Sequence, residues 1–256
     1  MTLQCGASHA GVVADKAILG LLKGSNLVVG GHDHLHLRHD LPGGLYLHNG
    51  FKGELLNVVA VKLGGAGATL TSQDFPITAS VAADSLLSTL VKAQEQKHLT
   101  TEDKAVIGHL TRSYSVQEAA QWAVESVKQA TGADVVAINH TSFGRGFRPG
   151  PVSRRDFNEF LRFDNKLVRI TLDAAMLRGL LKLANQHRAT RFEELTGDFV
   201  YTNAVQPEDG QQYTLVTVDF LALPQNQARY FGRDGLKFEP VGTLTSKAVL
   251  EAALSK

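Results

Sequence analysis

Histidines whose spacing suits a metal ion lie near the start of the chain. Residues 27–36 read Leu-Val-Val-Gly-Gly-His-Asp-His-Leu-His, so an apolar run ends at two glycines and is followed by His32 and His34. Side chains at positions i and i+2 lie on the same side of an extended chain, so a strand that ends here delivers two ring nitrogens to one point. A third imidazole, His9, lies upstream in Ala-Ser-His-Ala-Gly. Together the three predict a site for a zinc- or manganese-type ion.

The remaining histidines near the start leave alternatives open. Six of the ten histidines precede residue 50, which assigns metal chemistry to this segment: His9, His32, His34, His36, His39 and His48. For His36 and His39 the sequence favours a solvated loop. His48 ends another apolar run, and it either faces the metal site or packs elsewhere. The alternative for His32 and His34 is a pair of surface or loop histidines that bind no metal.

Apolar periodicity predicts the elements that position these residues. Helical spacing or composition covers residues 15–22, 79–96, 115–131, 153–161, 173–185 and 245–254. Short apolar runs predict strands at residues 27–29, 45–49, 55–63, 134–138, 167–172, 199–203 and 213–221. Ser115 and Glu118 have the spacing of a capping box, and Gly132 closes the same helix. Alternating helices and strands predict an α/β fold.

Composition excludes several classes of function. The 256 residues are 43% hydrophobic and 20% charged, which is the profile of an ordinary globular protein. A net charge of +1 provides no electrostatic attraction for a nucleic acid polymer. We expect no membrane span, because no apolar run reaches about 18 residues. Cys5 is the single cysteine, so no intrachain disulfide forms, and the residues after Met1 lead us to expect no signal peptide in this sequence.

Two groups of motifs resemble one family. The segment Ser-His-Ala-Gly at 8–11, followed by Leu-Val-Val-Gly-Gly-His-Asp-His at 27–34, resembles the closing third of the calcineurin-like metallophosphoesterase domain of bacterial 5′-nucleotidases and bifunctional metallophosphatases. Later segments resemble the 5′-nucleotidase C-terminal domain: 132–139, 150–157, 161–168 and 213–221. The resemblance implies a partial metallophosphoesterase sandwich over 1–65, a connector with a helix over 66–105, and a complete α/β C-terminal domain over 106–256.

The resemblance also implies a chemistry. In this family two divalent ions, zinc, manganese or similar, clamp a nucleotide phosphate ester, and a metal-bound hydroxide attacks phosphorus. Carried over, His9 and His32 hold one ion and His34 holds its neighbour. The family's Asp-Xaa-His, bridging Asp and Gly-Asn-His segments have no counterpart in this sequence. We therefore expect a fragment that binds one metal weakly and hydrolyses phosphate esters poorly or not at all. Intact relatives are typically periplasmic or extracellular.

The C-terminal domain of this family holds the nucleotide, and six residues are candidates for that role: Asn139, Phe143, Arg145, Arg148, Tyr230 and Phe231. The two arginines would form a cationic fork for phosphate or ribose hydroxyls, with a solvated basic loop as the alternative. Phe143 (or Phe147) and Tyr230 or Phe231 would stack on the base, with core packing as the alternative. We interpret residues 162–165, Arg-Phe-Asp-Asn, as a structural turn.

The leading functional expectation is metal-dependent hydrolysis of nucleotides by the intact parent enzyme, in nucleotide catabolism. The alternative is a non-catalytic nucleotide- or metal-binding module, or one half of a split enzyme whose missing N-terminal segment comes from another chain. Half a sandwich leaves a sheet edge and an apolar face open. This predicts that residues 1–65 are unstable or aggregation-prone alone.

Overall fold

Helices and strands alternate in both units of the chain, which confirms the predicted α/β class. A computed structural model describes residues 3–24, 26–65, 67–78, 80–184 and 192–255. Unit 1 comprises Met1–Val91 and Gln186–Gly197, and unit 2 comprises Lys92–Asn185 and Asp198–Lys256. Three predicted limits, at residues 66, 79 and 185, lie outside the described residues. Among the residues that are described, no helix is long and apolar enough to cross a bilayer.

A four-stranded sheet forms the centre of unit 1. Strands β1 (Gln4–Ala7), β2 (Asn26–Gly30), β4 (Gly44–Asn49) and β3 (His36–Leu41) lie side by side in that order. Strands β1, β2 and β4 are parallel, and β3 is antiparallel to β4. Helix α1 (Val12–Leu19) joins β1 to β2. Because parallel strands end at the same sheet edge, the residues that follow β1 and β2 are brought together there.

A hairpin and a helix complete the description of unit 1. Strand β5 (Leu55–Gly64), which was predicted at residues 55–63, pairs antiparallel with β6 (Gly67–Pro76). Strand β6 lies where part of a connector was predicted. Strand β6 was missed because polar residues interrupt its alternation. Helix α2 (Ser85–His98) follows, and the division between the two units falls within it. A short helix, α3 (Thr101–Lys104), is the next element.

Unit 2 is built on a mixed five-stranded sheet. Its order is β11 (Val200–Thr202), β8 (Val135–Asn139), β12 (Gln212–Val218), β10 (Lys166–Asp173) and β13 (Glu239–Thr245). Strands β8 and β12 are parallel, and the other neighbours are antiparallel. Every residue of β8 is buried, which explains its continuous apolar sequence.

Helices cover this sheet. They are α4 (Val116–Thr131), α5 (Arg154–Phe160), α6 (Ala174–Leu183), α7 (Asp219–Ala222), α8 (Pro224–Phe231) and α9 (Ser246–Leu254). Strands β7 (Val106–Leu110) and β9 (Gly150–Ser153) form a separate antiparallel pair. The predicted capping box is confirmed, since the Ser115 N–H donates to Glu118 at 2.8 Å and the Glu118 N–H donates back to the Ser115 hydroxyl at 3.2 Å. Gly132 ends α4 with φ 66°.

Candidate functional site

His9 and His32 lie next to each other at the carboxyl edge of the unit 1 sheet. His9 follows β1, and His32 follows β2, the parallel neighbour of β1. Their ring centroids are 5.4 Å apart and their planes are nearly perpendicular, at 83°. Both residues are exposed. A Cβ atom on Gly31 would stand 3.0 Å from the His9 Nδ1 atom, so the glycine at 31 leaves room for this ring.

The spacing of the two rings fits a shared metal ion. A zinc–nitrogen bond of about 2 Å places a ring centroid about 3 Å from the ion, so two rings on one tetrahedral ion lie about 5 Å apart. The observed 5.4 Å matches that separation. His34 is not part of this pair's ring contact: its ring stacks on Phe51, with centroids 4.8 Å apart. In the described parts of the chain, no three or more His, Cys, Asp or Glu residues are grouped to hold an ion.

The turn that carries His32 has an unusual backbone. His32 has φ 88° and His34 has φ 58°, in the left-handed region that residues other than glycine rarely adopt. Between them lies Asp33, whose side chain is buried. Its carboxylate accepts a hydrogen bond from the Val12 N–H at 2.5 Å, at the first residue of α1. Asp33 therefore joins the histidine turn to the start of the helix that follows His9.

A second buried carboxylate, Asp15 of α1, anchors the other side of the His9 segment. Asp15 accepts hydrogen bonds from the Ser8 hydroxyl at 2.5 Å and from the Tyr46 hydroxyl at 2.6 Å. The pKa of Tyr46 lies well above its usual range. The larger cause is the burial of its hydroxyl group, and the second is the hydrogen bond to Asp15. Because Ser8 directly precedes His9, this network ties the predicted ligand to strand β4. Sequence analysis missed both carboxylates, since each depends on contacts between residues distant in sequence.

His48 lies in the interior of unit 1. The residue is fully buried near the end of β4, and burial lowers the pKa of its imidazole despite the nearby carboxylates of Asp33 and Asp15. The Gly31 and Leu35 carbonyls lie near enough to favour the protonated ring. Within the described structure, however, neither ring nitrogen has a hydrogen-bond partner at standard geometry. His48 is thus a buried residue of β4, and a role for it at the metal site stays a prediction.

Two further histidines lie in a strand, so their prediction as loop residues is wrong. His36 and His39 both belong to β3. The His36 ring contacts Asp74 of β6 at 2.8 Å, and the His39 ring stacks on Phe192 with centroids 3.9 Å apart. Each ring has a neighbouring side chain that explains its position without a metal.

Most of the candidate nucleotide-binding residues lie in the core of unit 2. Four of them are at most 5% exposed: Asn139, Phe143, Tyr230 and Phe231. Phe143 packs against Phe160, with ring centroids 5.3 Å apart, and the alternative candidate Phe147 packs against the same ring at 4.7 Å. The Asn139 amide donates to Thr141 at 2.5 Å. In this arrangement Asn139 and Phe143 shape the loop after β8, whereas Tyr230 and Phe231 are buried at the end of α8.

The two candidate arginines have different environments. Arg145 forms ion pairs with Asp156 and with Glu159, the latter at 2.9 Å, so its guanidinium group already faces two carboxylates of α5. Arg148 is exposed. Arg148 is therefore better placed than Arg145 to contact an anionic ligand with its guanidinium group.

Two exposed aromatic rings in the described part of unit 2 were not among the candidates. Phe163 is 52% exposed and Phe220 is 39% exposed, which is unusual for side chains of this size. They lie on segments that are tied together, since the Asn165 amide donates to the Asp219 carboxylate at 2.8 Å. The sequence signal was present in Arg-Phe-Asp-Asn at 162–165, where a phenylalanine stands in an otherwise polar turn.

A family model and several solved structures are similar to this chain. The family model described as 5′-nucleotidase, C-terminal domain, matches residues 99–228. No curated protein sequence matches significantly. The fold is similar to that of a 5′-nucleotidase precursor from Thermus thermophilus, with a TM-score of 0.63 and 14% identity over 96% of this chain. It is also similar to a sulfate thiohydrolase, SoxB, from Thermus thermophilus, with a TM-score of 0.63 and 18% identity over 96% of this chain.

A third similar structure is a 5′-nucleotidase from Candida albicans, with a TM-score of 0.57 and 14% identity over 99% of this chain. The chain spans 59%, 50% and 64% of the three solved chains, which is less than two thirds of each. At these identities the structural likeness establishes the fold, which is the mixed α/β fold that these structures share.

Proposed function

Because the chain belongs to the 5′-nucleotidase C-terminal domain family, we propose that it serves in the metal-dependent hydrolysis of nucleotide phosphate esters. Unit 2, which contains most of the matched residues, would bind the nucleoside part of the substrate. Unit 1 would bind a divalent ion through imidazole groups. The observation that supports the proposed metal site is the distance of 5.4 Å between the ring centroids of His9 and His32.

The residues at the sheet edge suit a zinc- or manganese-type ion. Neutral imidazole is a common ligand of such ions, and two rings leave coordination positions open. When bound, the ion would polarise a phosphoryl oxygen as a Lewis acid. His34 is proposed as the ligand of a neighbouring ion, since its stack on Phe51 uses the face of the ring and a metal would bind in the plane of the ring. Two imidazoles alone predict weak binding.

The exposed rings of unit 2 are better placed to contact a base than the buried ones. Stacking of a base on an aromatic ring contributes roughly 1–3 kcal/mol, but it requires a free ring face. Phe163 and Phe220 offer such faces, whereas Phe143, Tyr230 and Phe231 support the core beneath. Exposed Arg148 is proposed to attract the phosphate group.

Nucleotide binding is tested by calorimetry with adenosine monophosphate. Phe163→Ala and Phe220→Ala should each weaken binding about 5- to 100-fold, as loss of one stacked ring implies. Leu223→Ala is the matched control, because Leu223 is 40% exposed and lies directly after α7. Equal binding by all variants, or no binding by the unaltered chain, would contradict the proposed nucleoside site.

Metal binding is tested by titrating the chain with zinc against a coloured chelator. His9→Ala and His32→Ala should each abolish the site, because one imidazole remains. His98→Ala is the control, since His98 is exposed in α2. Zinc affinity that is unchanged in both site variants would exclude the imidazole pair.

A second candidate function is one half of a split enzyme. Apolar side chains of β5 are exposed, including Leu56 at 53%, Val58 at 49% and Leu63 at 68%. Such a surface is typical of an interface that another polypeptide covers. Phosphate release by the chain alone would argue against this candidate, whereas release only after addition of a polypeptide that covers unit 1 would favour it.

A further inference from the structure

Asp33 contacts chain segments on both sides of the histidine turn. Its carboxylate accepts from the Val12 N–H at 2.5 Å, and both of its oxygens lie 3.1 Å from where a Cβ atom would stand on Gly11. Both oxygens of the Asp33 carboxylate also lie 2.8 Å from where a Cβ atom would stand on Gly197. Gly11 has φ 87° and Gly197 has φ 79°, so both neighbours depend on glycine to approach this carboxylate.

We infer that Asp33 is the positioning residue of the imidazole pair. Its buried carboxylate fixes the turn that carries His32 against the segment that carries His9, and so sets the spacing of the two rings. The inference rests on the metal role proposed above for His9 and His32. Nothing in that proposal requires Asp33 to touch the ion.

Backbone strain explains why the turn needs such an anchor. Positive φ at a residue other than glycine is energetically unfavourable and persists only where surrounding contacts enforce it. His32 and His34 both adopt this conformation, and Asp33 is the residue between them. Its bond to the Val12 N–H satisfies a donor at the start of α1, where the helix dipole also favours negative charge. Loss of that bond would free both histidines to relax to negative φ.

The charge of the carboxylate provides a second contribution. Neutral imidazoles give a bound cation no negative charge, so compensation must come from groups behind them. Asp33 and Asp15 are both buried beneath this edge of unit 1, and after burial itself both raise the pKa of Tyr46. Both carboxylates therefore act on a neighbouring side chain of β4. Asp33 thus acts through both position and charge.

The test compares Asp33→Asn and Asp33→Ala with Asp40→Ala in the full chain. Asp40 is the matched control, because it is an exposed aspartate of β3 that pairs with Arg38. Asn keeps an oxygen for the Val12 N–H but loses the charge, whereas Ala loses both. We expect Asp33→Ala to weaken zinc binding about 10- to 100-fold, Asp33→Asn to have an intermediate effect, and Asp40→Ala to have none.

A metal-free measurement separates this inference from the proposed function. The three-bond coupling between the amide and α protons reports φ, so it should change at His32 and His34 in Asp33→Ala. If the unaltered chain binds no zinc, the metal proposal fails, and the couplings still decide the role of Asp33. Unchanged couplings, or unchanged zinc affinity in Asp33→Ala, would overturn the inference.

If neither variant folds, the unaltered chain provides the readout. A through-hydrogen-bond coupling between the Val12 amide nitrogen and the Asp33 carboxyl carbon is then expected. Its presence would support the anchor, and its absence would overturn it.

Discussion

At the residue scale, a glycine decides how closely the buried polar groups of unit 1 approach one another. A Cβ atom on Gly30 would stand 2.5 Å from the Tyr46 hydroxyl and 2.6 Å from both the Asp15 carboxylate and the His48 ring. Three side chains therefore converge on a position that holds no side chain of its own. They do so directly before the turn that carries His32.

Gly30→Ala should destabilise unit 1 by about 1–3 kcal/mol, because the added methyl group overpacks this network. Urea unfolding followed by circular dichroism measures the change. Gly6→Ala is the control, since a Cβ atom there meets its nearest neighbour, Val28, at 4.0 Å. Equal stability of the two variants would show that the network is looser than described.

Burial of His48 predicts a pH dependence of stability. Its pKa is lowered in the folded protein from an ordinary value of 6.5, so the unfolded chain binds more protons below that pH. The stabilisation is complete above pH 6.5 and is lost as the pH falls from there toward the lowered pKa. Thermal unfolding between about pH 8 and pH 5 should show this loss, and His48→Gln should reduce it. An identical pH profile in the variant would contradict the assignment.

At the element scale, α4 depends on a reciprocal cap at its first turn. The Ser115 hydroxyl accepts from the Glu118 N–H at 3.2 Å, and the Glu118 carboxylate accepts from the Ser115 N–H at 2.8 Å. The hydrogen bond from the Ser115 N–H is the largest of the contacts that lower the pKa of Glu118 to about 2. Hydrogen bonds from the Arg112 and Ser115 side chains contribute next. The cap thus stays ionised well into the acid range.

Ser115→Ala should lower the free energy of unfolding of unit 2 by about 1 kcal/mol, because one orphan N–H of α4 loses its acceptor. Ser126→Ala in the same helix is the control, since Ser126 lies in the helix interior and Ala is the better helix former there. Urea midpoints measure both changes. A larger loss in Ser126→Ala would contradict the role assigned to the cap.

The elements that sequence could predict have strong local signals. Helix α4 shows a continuous apolar face between a capping box and Gly132, and β8 is an unbroken apolar run, so both were predicted closely. Strand β6 was missed because it is polar and β9 because it is short, and helix α8 lacks a long apolar face. The pairing of His9 with His32 follows from parallel strand order. The anchoring by Asp33 does not, because it depends on contacts distant in sequence and on positive φ at two histidines.

At the scale of the whole molecule, exposed apolar side chains are unevenly distributed. Among the described residues, the exposed large hydrophobic side chains of unit 2 are Val106, Phe163, Phe220 and Leu223. Many more belong to unit 1, including the exposed set on α2: Leu86, Leu87, Leu90 and Val91. Unit 2 has an extensive buried core, whereas the main buried cluster of unit 1 comprises Val12, Val28, Tyr46 and Leu195.

Unit 1 should therefore open before unit 2. Limited proteolysis of the full chain is expected to cut first before residue 92 and to leave a resistant product from unit 2, because local opening is easiest where little apolar surface is buried. Mass spectrometry identifies the products. Equal protection on both sides of residue 100 would contradict this prediction.

The most direct test of the account is a titration of the full chain with adenosine monophosphate, followed by NMR of its aromatic side chains. If the chain functions as a nucleotide-binding member of its family, the ring signals of Phe163 and Phe220 should shift together and saturably. Those of buried Phe143, Tyr230 and Phe231 should stay nearly fixed. No shift at Phe163 and Phe220, or shifts confined to the buried rings, would contradict the proposed nucleoside site.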